Sequence, residues 1–148
     1  DDVALPDKER PLADRGKRDA PMMGKRLAKR QVKPDLILSS PARRALSTAE
    51  IIAKELNYRA EDIVVDDRLY ATEAETLLGV IGELGDKLKC VMLFGHNPEF
   101  TDLAHRLSNE PALMPTCAVA QLTFETTSWS SIGSTKPAEV LFDYPKKG

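Results

Sequence analysis

Two short apolar runs end in the same way. "DLILSSP", residues 35–41, and "CVMLFGHNP", residues 90–98, each stop at small or turn-forming residues and then meet a proline. Apolar runs of this length, without polar alternation, mark strands buried on both faces, and a proline just beyond suits the first turn of a helix. Such strands survive only in a sheet covered on both sides. The spacing therefore predicts a three-layer α/β/α sandwich with a mostly parallel central sheet. In sheets of this kind ligands bind in the crevice beyond the carboxyl ends of the strands, which directs attention to Ser40–Arg44 and to Gly95–Pro98.

The remaining segments fit the same scheme. Residues 1–13 are polar and proline-punctuated and read as a surface loop. "DRGKRDAPMMGKRLAKRQ" sets Met22, Met23, Leu27 and Ala28 on one stripe with basic residues opposite, and Pro21 predicts either a kink or a helix starting near Ala20. Ala45, Ala49, Ile52 and Leu56 recur at helical spacing from Pro41 onward, with Asn57 as the stop. "DIVVDDRLY" is extended, and "TEAETLLGVIGELGDKL" is a helix opened by a capping box between Thr72 and Glu75. A strand in "KCVMLF", a helix from about Pro98 to Leu107, and two strands in "AVAQLTFE" and "AEVLFDY" complete the reading.

A chain of 148 residues suits one domain. Its 42% hydrophobic and 30% charged residues are ordinary for a globular protein, and "CVMLF" is far too short to cross a bilayer, so no membrane partner is expected. The net charge of -2 offers no global case for nucleic acid, and the basic run Lys17, Arg18, Lys25, Arg26, Lys29, Arg30 reads as a solvated helix face. Cys90 and Cys117 lie far apart without CxxC spacing and no signal-peptide pattern is visible, which points to a reducing cytoplasm. Their role beyond packing, and the oligomeric state, are not legible.

The two strand ends carry the chemistry. Ser40 is a good N-cap and Pro41 suits the first helical position, so free N–H groups should point at the carboxyl edge, as an anion site requires. Arg43 and Arg44 oppose the helix dipole there. Two solvated arginines would account for them equally well. At the second end Gly95 permits a sharp turn, Asn97 can cap and Pro98 starts the helix, so His96 alone could be a turn residue. Together, a histidine and an arginine at helix N-termini on one edge form a donor-rich cationic pocket of the kind phosphoryl chemistry needs. Metal and nucleotide-loop readings lack support: His96 and His105 are the only histidines and should face opposite sides of their helix, no acidic or cysteine cluster joins them, and no P-loop pattern occurs.

At these residues the chain resembles the histidine phosphatase superfamily (phosphoglycerate mutase-like), and within it the short SixA-like branch of phosphohistidine phosphatases. "RPLADRGKRDAPMMGKRL", "PDLILSSPARRALSTAEIIA", "RLYATEAETLL" and "LFGHNPEFTDLA" carry the resemblance, in that order, from Arg10 to about Leu107. It implies a phosphoglycerate mutase-like fold and a covalent mechanism. One histidine attacks the phosphoryl group, two arginines and a second histidine hold its oxygens, and water hydrolyses the phosphohistidine intermediate. Arg44 matches the arginine of the SPxxRA motif, and His96 the second histidine, so these two are the expected catalytic and phosphate-binding residues, with Asn97 and Glu73 as lesser contributors. Arg43 is off the motif. A cationic His96 binds phosphate best, so its pKa should rise when the site is occupied. No cofactor or metal is implied.

The family's nucleophile and first arginine stand in an Arg-His motif at the end of a first strand. This chain has no Arg-His pair, and the resemblance begins in mid-motif, so the expectation is that Asp1 follows a first strand missing here. Glu73 and Glu75 lie where larger relatives supply a general acid, yet capping and first-turn charge account for both. The substrate implied is phosphohistidine in a protein. The alternatives are a small-molecule phosphomonoesterase, or a non-catalytic phosphate-binding pseudo-enzyme if the Arg-His motif is truly absent.

Overall fold

The computed structural model describes residues 5–146, so the part of the expected opening loop at 1–4 lies outside it. The chain divides into two compact units, the first built from residues 5–70 and Lys89–Gly95, the second from Ala71–Leu88 and residues 96–146.

The first unit holds α1 (Asp14–Lys29), β1 (Leu36–Ser39), α2 (Arg43–Glu55), β2 (Val64–Val65) and β3 (Val91–Phe94), with short 3-10 turns at Asp7–Glu9, Ala60–Asp62 and Asp67–Leu69. Its three strands are parallel, in the order β2-β1-β3. β1 is thus the central strand of the three, as its unbroken apolar run implies. Leu36 pairs with Val91 and Ser39 with Phe94, so β1 and β3 end level with each other. Ile37 sits fully buried with Ala49 and Ala53 of α2, and Tyr58, Ile63, Met92 and Phe94 pack around them. The Tyr58 hydroxyl closes this cluster, accepting from Ile37 N at 3.3 Å and donating to the Asp62 carbonyl at 3.0 Å.

Asp35 pins the start of the β1–β3 pairing. Its carboxylate accepts from the Lys89 and Cys90 amides at 2.8 and 3.0 Å, while its own N–H donates to the Cys90 carbonyl at 2.7 Å. Asp35→Ala is expected to cost about 1 kcal/mol, because two amides lose a charged acceptor but stay within reach of water. Urea denaturation checks this, and an unchanged midpoint would contradict it.

α1 corrects one expectation. The helix begins at Asp14 and runs through Pro21 instead of starting near Ala20. A proline in that position lacks the amide for one ladder bond, a penalty of about 3 kcal/mol that only tertiary packing can offset. The packing is present: Gly16, Ala20, Met23, Gly24 and Leu27 form the buried stripe, and burying Met23 and Leu27 contributes about 1.5–3 kcal/mol each. The stripe is rotated from the expected one, since Ala28 is exposed and Met22 only half-buried. At its centre Gly24 lies against α2, where an added Cβ would meet Glu55 Cβ and Cγ at 2.8 Å.

α2 stops where Asn57 was expected to stop it. Asn57 is left-handed at φ 58°, its N–H donates to Lys54 O at 3.3 Å and that of Tyr58 to Ala53 O at 2.8 Å, which closes the helix end with a Schellman motif. Gln31 ends α1 in the same way, at φ 61°.

The second unit contains α3 (Ala74–Gly82), α4 (Glu99–Ser108), β4 (Val119–Thr123), a 3-10 turn at Trp129–Ser134 and β5 (Glu139–Asp143). β4 and β5 pair antiparallel, Val119 opposite Asp143. Leu77, Val80, Ile81, Leu103, Ala104 and Ile132 are buried, and the Trp129 indole donates to the Leu88 carbonyl at 2.9 Å. The capping box expected at Thr72 and Glu75 is not formed: Glu73 is the residue preceding α3, no side chain caps it, and Glu75 pairs instead with Arg106 at 3.2 Å. With the helix starting one residue later than expected, Glu75 no longer stands three residues past the cap, as the box requires.

Among the described residues no helix is long and apolar enough to cross a membrane.

Candidate functional site

Arg44 stands in the first turn of α2, five residues past the end of β1. The helix starts later than Ser40 and Pro41 suggest: Ala42 is the last extended residue, with ψ 134°, and Arg43 the first helical one. Ser40 still does a cap's work, because its hydroxyl accepts from the Ala42 amide at 3.1 Å, a side-chain turn that closes the strand-to-helix switch one step before the helix itself. Arg43 is exposed, whereas Arg44 is half-buried.

The Arg44 guanidinium is held by the 3-10 turn at Asp7–Glu9. Nη1 donates to the Asp7 carbonyl at 2.8 Å and Nη2 to Asp7 Oδ2 at 3.1 Å. The Tyr70 hydroxyl donates to the same Oδ2 at 2.5 Å, and the Lys8 ammonium sits 5.0 Å from the centre of the Tyr70 ring. Asp7 and Tyr70 were not singled out in the sequence. Asp7 lies 37 residues before Arg44 and 63 before Tyr70, so no local spacing could have joined them.

The charges in this group reinforce one another. The Tyr70 hydroxyl, then the Arg44 guanidinium, hold the Asp7 carboxyl below its ordinary value of 3.8, and the Asp7 carboxylate raises the Tyr70 phenol above 10.0. A depressed carboxyl favours the folded state above its unfolded pKa and loses that contribution as pH falls through the folded value. A raised phenol favours it below 10.0 and loses that as pH climbs through the folded value. The group therefore keeps one protonation state across the whole neutral range.

In the second unit His96 is the first residue after Gly95, two past the end of β3, and is half-buried. Its carbonyl accepts from the Phe100 amide at 2.9 Å. Asn97 caps as expected, though from one residue further out: Oδ1 accepts from Thr101 N at 3.2 Å and from its hydroxyl at 2.8 Å, and Nδ2 donates to the Met114 carbonyl at 2.6 Å. Pro98 is the residue before α4 rather than its first. The Asn97 amide group thus fixes the start of α4 and the loop near Met114 at once. His105 is occupied differently, its Nδ1 lying 2.7 Å from the Glu110 carbonyl at the far end of α4. Glu73 is exposed, and the Glu75 carboxylate lies 3.2 Å from Arg106.

Arg44 lies in the first turn of α2 in the first unit, with its guanidinium fixed by Asp7, and His96 lies three residues before α4 in the second unit. Guanidinium forks and imidazolium groups suit tetrahedral oxyanions.

Comparison with known proteins bears on that chemistry. The structure superposes on a candidate phosphohistidine phosphatase SixA from Nakamurella multipartita with a TM-score of 0.83, 20% identity, and coverage of 97% of this chain and 89% of that one. A candidate SixA from Agrobacterium tumefaciens aligns with a TM-score of 0.77 and 28% identity, over 93% of this chain and 86% of the other. The fold is phosphoglycerate mutase-like, a mixed α/β arrangement around a parallel sheet. An uncharacterized chloroplastic protein of Arabidopsis thaliana is 28% identical over 137 residues, 87% of this chain, and the chain spans 63% of that relative's length. The sequence model of the histidine phosphatase superfamily (branch 1) matches residues 5–80, just over half the chain, and so includes β1, Arg44, Asp7 and Tyr70. The chain therefore belongs to the histidine phosphatase superfamily.

Proposed function

We propose that the protein is a phosphatase working through a phosphohistidine enzyme intermediate and that its substrate is phosphohistidine in a protein. Arg44 and His96 hold the phosphoryl oxygens, Asn97 sets the loop that carries His96, and Glu73 is a lesser contributor. The observation that carries this reading is the level, parallel pairing of β1 and β3, Ser39 opposite Phe94, from whose ends the chain runs directly into the segments bearing Arg44 and His96.

The reaction requires a nucleophilic histidine, which the family's mechanism draws from an Arg-His pair that residues 1–148 do not contain. Its ring nitrogen forms the new P–N bond as the P–N bond to the substrate imidazole breaks, and that imidazole leaves with a proton. Water then forms a P–O bond, the enzyme's P–N bond breaks, and the products are inorganic phosphate and the restored histidine. Arg44 and a protonated His96 would neutralise the charge spread over the equatorial oxygens, which is where phosphoryl-transfer catalysis is concentrated.

The state of the two glutamates supports an imidazole leaving group over an alkoxide. Glu75 is engaged by Arg106 and Glu73 is exposed, so neither stands as a strong general acid. Imidazole leaves with less help than an alcohol does.

The test is turnover by the full native chain of a histidine-phosphorylated protein against a panel of small phosphate monoesters. Preference for the phosphohistidine protein by at least about tenfold in kcat/KM, roughly 1.4 kcal/mol, is expected. A clear preference for the monoesters would overturn the substrate assignment. Phosphate binding without any turnover would make the protein a pseudo-enzyme.

A further inference from the structure

We propose that Asp7, itself fixed by Tyr70, is a positioning residue that sets the Arg44 guanidinium in the orientation needed to receive a phosphoryl oxygen. The proposal rests on the phosphate-site reading above.

An exposed ion pair contributes little to stability, and Arg44 and Asp7 retain 33% and 55% of their side-chain exposure, so stabilisation is a weak reason for this contact. Its geometry has a different use. One residue grips both terminal nitrogens of the fork, at 2.8 Å through a backbone carbonyl and at 3.1 Å through a carboxylate. A carboxylate alone can rotate away with its side chain, but a backbone carbonyl moves only with the chain. Two grips on separate nitrogens define the plane of the guanidinium and the direction in which its other N–H groups point.

The carboxylate is held in turn. Tyr70 donates to the oxygen that receives Arg44 Nη2, from a segment that follows β2 and ends a 3-10 turn whose Leu69 is fully buried. Tyr70 is therefore anchored through its neighbour to the core, and the order passes from Leu69 through Tyr70 and Asp7 to Arg44. Arginine carries many rotamers, and oxyanion binding gains most when that freedom is removed beforehand.

Asp7 could act oppositely, as a carboxylate that occupies the fork until phosphate displaces it. The backbone grip argues against this, because displacing it would require moving the 3-10 turn and not one side chain.

The experiment uses the full native chain, with inorganic phosphate as the binding probe and a histidine-phosphorylated protein as substrate. Asp7→Asn keeps size and shape but loses the charge. It is expected to weaken phosphate binding about tenfold and to lower kcat by about 10–100-fold, the scale of a small misplacement of a binding group. The melting temperature should stay within about 2 °C of wild type, as for the loss of an exposed pair. Asp7→Glu should recover part of the lost kcat, which a purely structural role would not give, and Tyr70→Phe should show a smaller loss in the same direction. Wild-type phosphate affinity and kcat in Asp7→Asn would overturn the inference while leaving the phosphatase reading intact. Tighter phosphate binding in that variant would overturn it too, making Asp7 a competitor for the fork. A wild-type protein that neither binds phosphate nor turns over would sink both readings.

Discussion

Replacing Arg44 by alanine in the full native chain is expected to lower turnover of a histidine-phosphorylated protein by about 10²–10³-fold, the range seen when one preorganised donor to a developing oxyanion is removed. His96→Ala should do the same. The reasoning is common to both: charge accumulates on the transferring group's oxygens in the transition state, and a fixed cation there contributes more than it does to the ground state. Both variants should remain folded. Arg44 makes its observed side-chain contacts with the exposed Asp7, and His96 is only half-buried, so neither removal opens a core cavity. Arg43→Ala is the internal control, since Arg43 is exposed one residue earlier on the same turn and should lose less than about threefold. Steady-state kinetics beside far-UV circular dichroism reads both halves of this. Near-normal kcat in Arg44→Ala or His96→Ala, with the fold intact, would refute the assignment of that residue.

Gly24→Val should strongly destabilise the first unit. An ideal Cβ at Gly24 falls 2.8 Å from both Cβ and Cγ of Glu55 and 3.5 Å from the Ile52 Cα. Glu55 Cβ is bonded directly to the α2 backbone and cannot swing aside, so the two helices must part. Parting them loosens the contacts that bury Met23, Leu27 and Ile52. Overpacking of this kind costs about 1–3 kcal/mol, and valine's branches add to it, so a loss of about 3 kcal/mol or more is expected. For a chain of this size that lowers the melting temperature by roughly 6–12 °C. Gly24→Ala separates the terms, because alanine recovers about 1 kcal/mol of helix propensity yet still places the offending Cβ. A melting temperature for Gly24→Val within about 2 °C of wild type would show that α1 shifts freely and that the close approach is unimportant.

What could be read in advance follows the range of the interactions. Asn57 as the end of α2 was legible because a left-handed residue after a helix is a local requirement with a short list of tolerated side chains. β1, β3 and the placement of Arg44 and His96 after them were legible because an apolar run followed by Ser-Ser-Pro or Gly-His-Asn-Pro suits a strand turning into a helix, although β3 is half-buried where a buried strand was expected. Pro21 left open a helix through it or one starting near Ala20, and the buried stripe on the same helix, with Gly16, Ala20 and Gly24, offsets the local penalty and favours the first. The Thr72–Glu75 cap failed because α3 starts one residue later than the box needs, with Glu73 and not Thr72 at the cap position. Asp7 and Tyr70 were hidden altogether: "DKERPL" has the composition of a loop, and nothing within it points 63 residues ahead.

The parallel register of β1 has a consequence for how the chain comes into being. Its hydrogen-bonding partner on one side, β3, follows Cys90, which lies 55 residues beyond the Asp35 that pins the two together. A nascent chain that has emerged only as far as α3 has already made α1, β1 and α2, and β2 can cover just one edge with two residues. The other edge of the most buried strand in the unit then faces solvent with its donors and acceptors unpaired, a template for any passing extended segment. Synthesis thus imposes a vulnerable interval that closes only when Phe94 arrives beside Ser39.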